Sequence, residues 1–263
     1  MEVIVAIRQT PLLDGEIVLT ADEKSVEIEG LKYHINEWDL YALEEALRLK
    51  TEIGARITAV SVGGKATEEA MYYCIAAGVD EAVLIEEESS YQLDSSSIAT
   101  LLEKFTSMRV FDLFLTGVQS EDTGCGEVGA ILATKLCVPQ AAVVMKIKSL
   151  NPEESIVVQR ELEDGFSDVQ RLSLPALLTI QTGINQPRYV STMHLRKARN
   201  KGSIMRISPL DLSTGTGLPA PKKTMKRAFL PEVGSVKLEF IDGVTAADKA
   251  KNIVDRLYGM EVL

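Results

Sequence analysis

Histidine is nearly absent from this chain: of 263 residues only His34 and His194 carry an imidazole. A Ser-His-Asp triad or a His-based metal centre has almost nothing to draw on, which removes most hydrolase chemistries. Cysteine is scarce too. Cys74, Cys125 and Cys137 are odd in number, widely spaced and without a Cys-x-x-Cys pair, so neither a disulfide framework nor a zinc site is expected. Cys74, flanked by Met71 and Ile75, and Cys137 both read as core thiols. The single tryptophan, Trp38, reads as packing at a helix start. No apolar run approaches the roughly 20 residues that span a bilayer, and Met1–Arg8 enters a strand pattern with no charged-then-apolar leader. The expectation is a cytoplasmic or organelle-matrix protein without a membrane span. Positive charge is short as well: 28 Lys+Arg against 38 Asp+Glu leave a formal charge of −10, which argues against nucleic acid as a partner.

What is present is apolar content, 46% of the chain, enough for one large α/β domain with an extension. Strand-like runs at 3–8, 57–63, 81–86 and 111–117 alternate with helical patterns at 36–49, 66–77, 98–108 and 126–136, and that alternation predicts a mostly parallel, doubly wound sheet covered by helices. Asn36 is the expected cap of the first helix. Asp14–Glu29 reads as a charged surface hairpin or loop. Runs at 143–150, 155–163 and 175–181 follow with short gaps, which predicts an added, partly antiparallel β segment. After residue 207 periodic apolar content fades. Residues 208–225 read as a linker or strapped-down segment, 238–241 as a short strand, and Thr245–Tyr258 as an amphipathic helix. This gives a domain at 1–207 and a C-terminal arm at 208–263 that has to pack on something.

Two stretches stand out. In GVQSEDTGCGEVG (117–129) a glycine-rich turn joins a strand to a helix, so backbone amides and the positive helix end are placed to receive a phosphate, unless it is simply a tight turn that binds nothing. In LPALLTIQTGINQPRYVSTMHLRKARNK (174–201) a buried-looking strand gives way to a loop braked by Pro187 and then to the basic run Arg188, Arg196, Lys197, Arg199, Lys201. Against so acidic a chain, that run reads as a contact surface.

This second stretch resembles the recognition-loop region of electron transfer flavoprotein beta subunits, where an LPA(V/L)LT strand runs into N-x-PRY. AIRQTP (6–11), INEWDLYALEEALRLK (35–50), VSVGG (60–64), GVQSEDTGCGEVG and RELEDG (160–165) fall in the family's order over roughly residues 1–205. The resemblance implies a domain of adenine-nucleotide-binding, universal-stress-like type. It implies a heterodimer with an alpha subunit that holds most of a shared FAD, a flavin-dependent dehydrogenase that docks transiently, and no bond-making catalysis by this chain. Carried across residue by residue, it puts Ala6, Asn36, Glu37, Trp38, Asp39, Val62, Gly117, Gln119, Asp122, Cys125, Gly126, Glu127 and Val128 around an adenine nucleotide. Arg160, in the Arg-Glu motif, falls near the alpha subunit's flavin, with a surface ion pair to Glu161 as the plainer reading. Residues 182–201 become the docking loop, with Arg188, Tyr189, Thr192, Met193 and Leu195 as contacts.

The chain departs from the family in two places. Members that bind AMP carry hydroxyl or amide side chains at the helix start where this chain has Gly126, Glu127 and Val128, and the latter set resembles electron-bifurcating members whose beta subunit holds a second FAD. Both AMP and FAD stay open. Thr192 stands where the family places a leucine anchor, with Met193 and Leu195 next to it. Two other readings account for less of the chain. A stand-alone adenine-nucleotide sensor gives no role to the basic run or the arm, and an adenylating ATP-pyrophosphatase needs an SGGxDS loop that 6–11 lacks.

Overall fold

The structure is a computed structural model, and it describes residues 1–13, 17–28, 30–212, 221–230, 238–260 and 262. Its first strand, β1 (Glu2–Ala6), is buried on both faces, and its side chains divide between two apolar layers. Val3 and Val5 enter one layer, Ile4 the other. The same division recurs in β4 (Arg56–Gly63), where Ile57 and Ala59 oppose Val60, and in β6 (Leu113–Gly117), where Leu113 and Leu115 oppose Phe114. Strands apolar on both faces require helices on both faces, the arrangement of a parallel sheet.

Helices α1 (Glu37–Ile53) and α2 (Glu68–Ala77) cover the first layer with Leu43, Leu47, Met71 and Cys74. Helices α3 (Ser95–Ser107) and α4 (Val128–Leu136) cover the second with Leu101, Phe105 and Leu132. With β5 (Glu81–Glu86), β7 (Gln140–Asn151), β8 (Ser155–Glu161), β9 (Ser167–Ser173), β10 (Ala176–Ile180) and β11 (Ile204–Ile207), the strands form one nine-stranded sheet in the order β11-β5-β4-β1-β6-β10-β7-β8-β9. Pairing is parallel from β11 through β7 and antiparallel across β7-β8-β9. The mostly parallel, doubly wound sheet with an added β segment is the expected architecture. The winding reverses between β1 and β6, the point at which open α/β sheets hold their ligands.

Several elements differ from the sequence reading. A hairpin of β2 (Gln9–Pro11) and β3 (Tyr33–Ile35) follows β1. The basic run is not a loop but a helix, α5 (Thr192–Lys201), capped by the Ser191 hydroxyl, which accepts from the His194 amide at 3.2 Å. β9 and β11 were not anticipated. Residues 238–241 form no strand, because a strand needs a neighbour for its ladder and none of the described residues pairs with them. Cys137 is exposed: it ends α4 in the left-handed conformation, φ 55°, which turns its side chain out of the core, whereas Cys74 is fully buried as expected. Of the expected surface segment 14–29, the described part is largely exposed and closed by a single bridge between Leu19 and Val26.

The chain divides into two compact units, Met1–Arg227 and Ala228–Leu263. The second contains α6 (Ala246–Gly259), whose start is closed by a reciprocal box between Thr245 and Asp248. None of the described residues of α6 is buried. Among the described residues no helix is long and apolar enough to cross a membrane.

A charge-matched cleft at the carboxyl ends of β1 and β6

Because β1 and β6 are in register, Val5 beside Leu115, their carboxyl ends open side by side. Asp39, in the first turn of α1, joins them: its two carboxylate oxygens accept the Arg8 amide at 2.8 Å and the Gly117 amide at 2.9 Å. Burial pushes the Asp39 carboxyl up to about 6, against those two amide bonds and Arg8, which hold it down. Gly117 lies so close to α1 that a Cβ there would sit 2.5 Å from Trp38 Cβ and 2.6 Å from Asp39 Oδ1. Only glycine lets the helix start approach the strand end this closely.

The loop between β6 and α4 is bound to its neighbours by charge. Asp122 pairs with Arg8, whose Nε lies 3.0 Å from both carboxylate oxygens and whose Nη2 lies 2.5 Å from Oδ2, and the guanidinium also stacks over Tyr91 at 5.9 Å. Glu121 accepts the Glu37 amide at 2.9 Å and lies 2.5 Å from His34 Nε2. It is therefore Glu121, not Asn36, that caps α1. The Asn36 side chain is spent instead on the loop, donating to the Gln119 carbonyl at 2.8 Å and accepting the Glu121 amide at 3.1 Å. The loop reaches α4 through Gly126 in the positive-φ region, φ 62°. Glu127 then precedes the helix, its carboxylate held by Lys223 Nζ at 2.5 and 2.8 Å.

Of the fourteen residues expected around a cofactor, eight meet in this network or border it directly: Ala6, Asn36, Glu37, Trp38, Asp39, Gly117, Gln119 and Asp122. Val62 and Val128, with Ala6, are half-buried and pack on the α3/α4 layer beside them. Cys125, Gly126 and Glu127 lie in the loop itself, Cys125 exposed. Arg160 stands apart on β8, opposite Val144 and Asp168, and its Nε is buried without a hydrogen-bond partner among the described residues. A chain of hydrogen bonds runs from the cleft toward it: Trp38 Nε1 donates to Gln181 Oε1 at 3.1 Å, and Gln181 Nε2 donates to Glu161 Oε2 at 3.0 Å.

Arg8, Glu121, His34, Gln181 and Lys223 were missed by the sequence reading. Arg8 alone left a signal, as the charged residue directly after a strand at the switch point. Among the described residues no cluster of His, Cys, Asp or Glu is arranged to hold a metal.

The expected docking residues form a second, separate group. Arg188 turns inward: its Nε and Nη2 meet Glu44 at 2.7 and 2.9 Å and its amide donates to Glu44 at 3.1 Å. Asn185 adds bonds to the Tyr41 carbonyl and Glu45 at 3.0 and 2.9 Å. Tyr189 and Met193 point out, 86% and 72% exposed, Thr192 is exposed and Leu195 is half-buried. The exposed Arg196, Lys197 and Lys201 surround them with positive charge.

A doubly wound α/β domain whose polar cleft lies at the switch point is the class these observations define. The electron transfer flavoprotein domain model matches residues 25–212. The chain is 31% identical over 258 residues to the electron transfer flavoprotein subunit beta of Methylophilus methylotrophus, covering 96% of this chain and 97% of that protein. It is 33% identical over 261 residues to the subunit of the same name from Bacillus subtilis, with 98% and 97% covered. To the caffeyl-CoA reductase-Etf complex subunit CarD of Acetobacterium woodii it is 30% identical over 261 residues, with 98% of each covered. The chain belongs to the electron transfer flavoprotein beta-subunit family.

Proposed function

We propose that this chain is the beta subunit of a heterodimer that accepts electrons from a flavin-dependent dehydrogenase and passes them to an acceptor through FAD held mainly by an alpha subunit. The flavin supplies the electron chemistry when bound; this chain supplies binding, orientation and electrostatics. Residues 208–263 serve as linker and arm on the partner subunit. Phe229, Leu230, Leu238 and Phe240 support that role, since they are more than half exposed in the second unit and a chain in water does not leave such a set uncovered.

The observation that carries the reading is the charge-matched cleft at the switch point of a chain with this family membership. Its residues fit the AMP moiety that free AMP and FAD have in common. Ala6, Val62 and Val128 offer an apolar wall for the adenine, and the amides at the start of α4 face the position of a phosphate. Gln9, only 7% exposed, carries an Oε1 with no partner among the described residues, an acceptor left for a ligand. Arg160 Nε is a donor in the same position on the side of the alpha subunit's flavin, where a fixed cation favours a reduced, anionic ring. Tyr189, Met193 and Leu195, ringed by basic residues, are the contacts for the docking dehydrogenase, an apolar anchor in a polar surround.

Denaturing the purified complex and counting FAD and AMP per dimer tests this. One FAD with one AMP, or two FAD, is the expected result. A colourless homodimer that binds ATP would overturn the proposal in favour of a nucleotide sensor.

A further inference from the structure

Four carboxylates lie at the carboxyl ends of β1 and β6 and along the loop to α4: Asp39, Glu121, Asp122 and Glu127. Three are matched by the core itself, Asp39 by two backbone amides, Glu121 by His34 and the Glu37 amide, Asp122 by Arg8. The fourth takes a hydroxyl hydrogen bond from Ser95, at the start of α3, but draws its cation from elsewhere: Glu127, directly before the α4 amides, is paired with Lys223, which comes from a segment outside the sheet and its helices. That segment, 221–227, is fastened at three places: the Lys222 and Lys223 amides donate to Asp94 Oδ2 at 2.7 and 3.0 Å, Lys223 Nζ grips Glu127, and Arg227 Nε meets Glu23 at 3.0 Å. Asp94 also caps α3 through the Ser97 amide at 2.8 Å. The strap therefore crosses the starts of both helices that follow β5 and β6.

We propose that this strap is part of the nucleotide site and that Lys223 is its charge-setting residue, masking Glu127 so that the start of α4 accepts a phosphate. This rests on the nucleotide reading above. Two arguments favour charge-setting over mere fastening. The Lys223–Glu127 pair is open to water, and exposed pairs add little to stability, while the two amide bonds to Asp94 already hold the strap in place. Without Lys223, the Glu127 carboxylate faces an incoming phosphate as a like charge at the one point where the helix dipole attracts anions. The carboxylate's lowered pKa and the ammonium's raised one, each caused first by the hydrogen bond to the other, agree with the two being charged together.

AMP and adenosine titrated against nucleotide-free full-length chain test this by calorimetry. Lys223→Gln should weaken AMP about tenfold and leave adenosine unchanged, because only AMP carries the phosphate. Glu127→Gln added to Lys223→Gln should restore AMP binding. Equal loss of AMP and adenosine would make the strap a plain cover, and an unaltered AMP affinity in Lys223→Gln or failure of the double variant to recover would remove the masking role. If the wild-type chain takes neither ligand, the nucleotide reading itself falls; if it takes both and Lys223→Gln changes neither, only the role of Lys223 falls.

Discussion

Replacing Arg188 should destabilise the protein more than replacing its partner Glu44, although the same ion pair is lost. The Glu44 side chain is 10% exposed and the Arg188 side chain 39%. Arg188→Ala strands a carboxylate among Leu40, Leu43, Leu47 and Tyr73, which line the pocket that Pro187 and Arg188 close. A buried partner left unpaired costs about 3–5 kcal/mol, and the low end applies because the pair sits at the rim of the core. Glu44→Ala frees a guanidinium that already reaches water, which costs about 1 kcal/mol. At roughly 2–4 °C per kcal/mol for a domain of this size, Arg188→Ala lowers the melting temperature by about 6–12 °C and Glu44→Ala by a third of that. Thermal unfolding followed by circular dichroism at pH 7 reads both. Equal losses, or a larger loss for Glu44→Ala, would refute the claim that burial sets the asymmetry. The double variant Glu44→Met, Arg188→Met should recover most of the stability, since an apolar pair of similar volume needs no desolvation. It should also be reduced by the cognate dehydrogenase at the wild-type rate; slow reduction of that folded variant would show that the Arg188 guanidinium itself contacts the partner.

Met193→Ala and Tyr189→Ala should each slow reduction by the dehydrogenase about tenfold or more with flavin content unchanged, as expected for exposed anchors of a transient interface; stopped-flow rates at fixed partner concentration decide it. Asp39 gives a pH signature opposite to ordinary acid denaturation. Its folded pKa, raised to about 6 by burial, exceeds an unfolded value of about 3.9, so the native state takes up a proton first as pH falls and gains stability between pH 7 and 4, by up to roughly 3 kcal/mol. Urea midpoints for wild type and Asp39→Asn should differ only by a constant offset from the altered amide bonds at the acid end, where both side chains are neutral, and should diverge as pH rises toward 7, where wild type alone carries the buried charge and loses stability; parallel curves would mean the carboxyl titrates normally. Gly117→Ala should cost about 3 kcal/mol and abolish nucleotide retention, because its Cβ would stand 2.5 Å from Trp38 Cβ and 3.0 Å from the Trp38 carbonyl carbon, both fixed to the helix, and 2.6 Å from the buried Asp39 Oδ1. Trp38, the single indole, should change its emission on AMP binding, and a spectrum indifferent to saturating AMP would place the nucleotide elsewhere.

The parallel half of the sheet was legible because a strand buried on both faces is written as a continuous apolar run, and VIVA, ITAV and ALLTI each enter two apolar layers. The elements that escaped bury little. In α5 the single buried residue is Ala198, and its start depends on one Ser191 hydroxyl; β9, SDVQRLS, exposes every second residue at the open edge of the sheet and buries only Leu172. A helix or strand with so narrow a buried stripe owes its place to its neighbours, and periodicity cannot report it. The same limit applies inside the cleft. The residue types at 36–39 and 117–128 mark a strand-to-helix site, but which carboxylate caps, which is masked and which is buried depends on partners far apart in the chain: Glu121 with Glu37, 84 residues away, Arg8 with Asp122, 114 away, and Lys223 with Glu127, 96 away. Gly126, Glu127 and Val128 depart from the hydroxyl and amide side chains of AMP-binding members when read locally, but the charge at 127 is set by Lys223, 96 residues on, so no local pattern could report whether the start of α4 is negative or close to neutral.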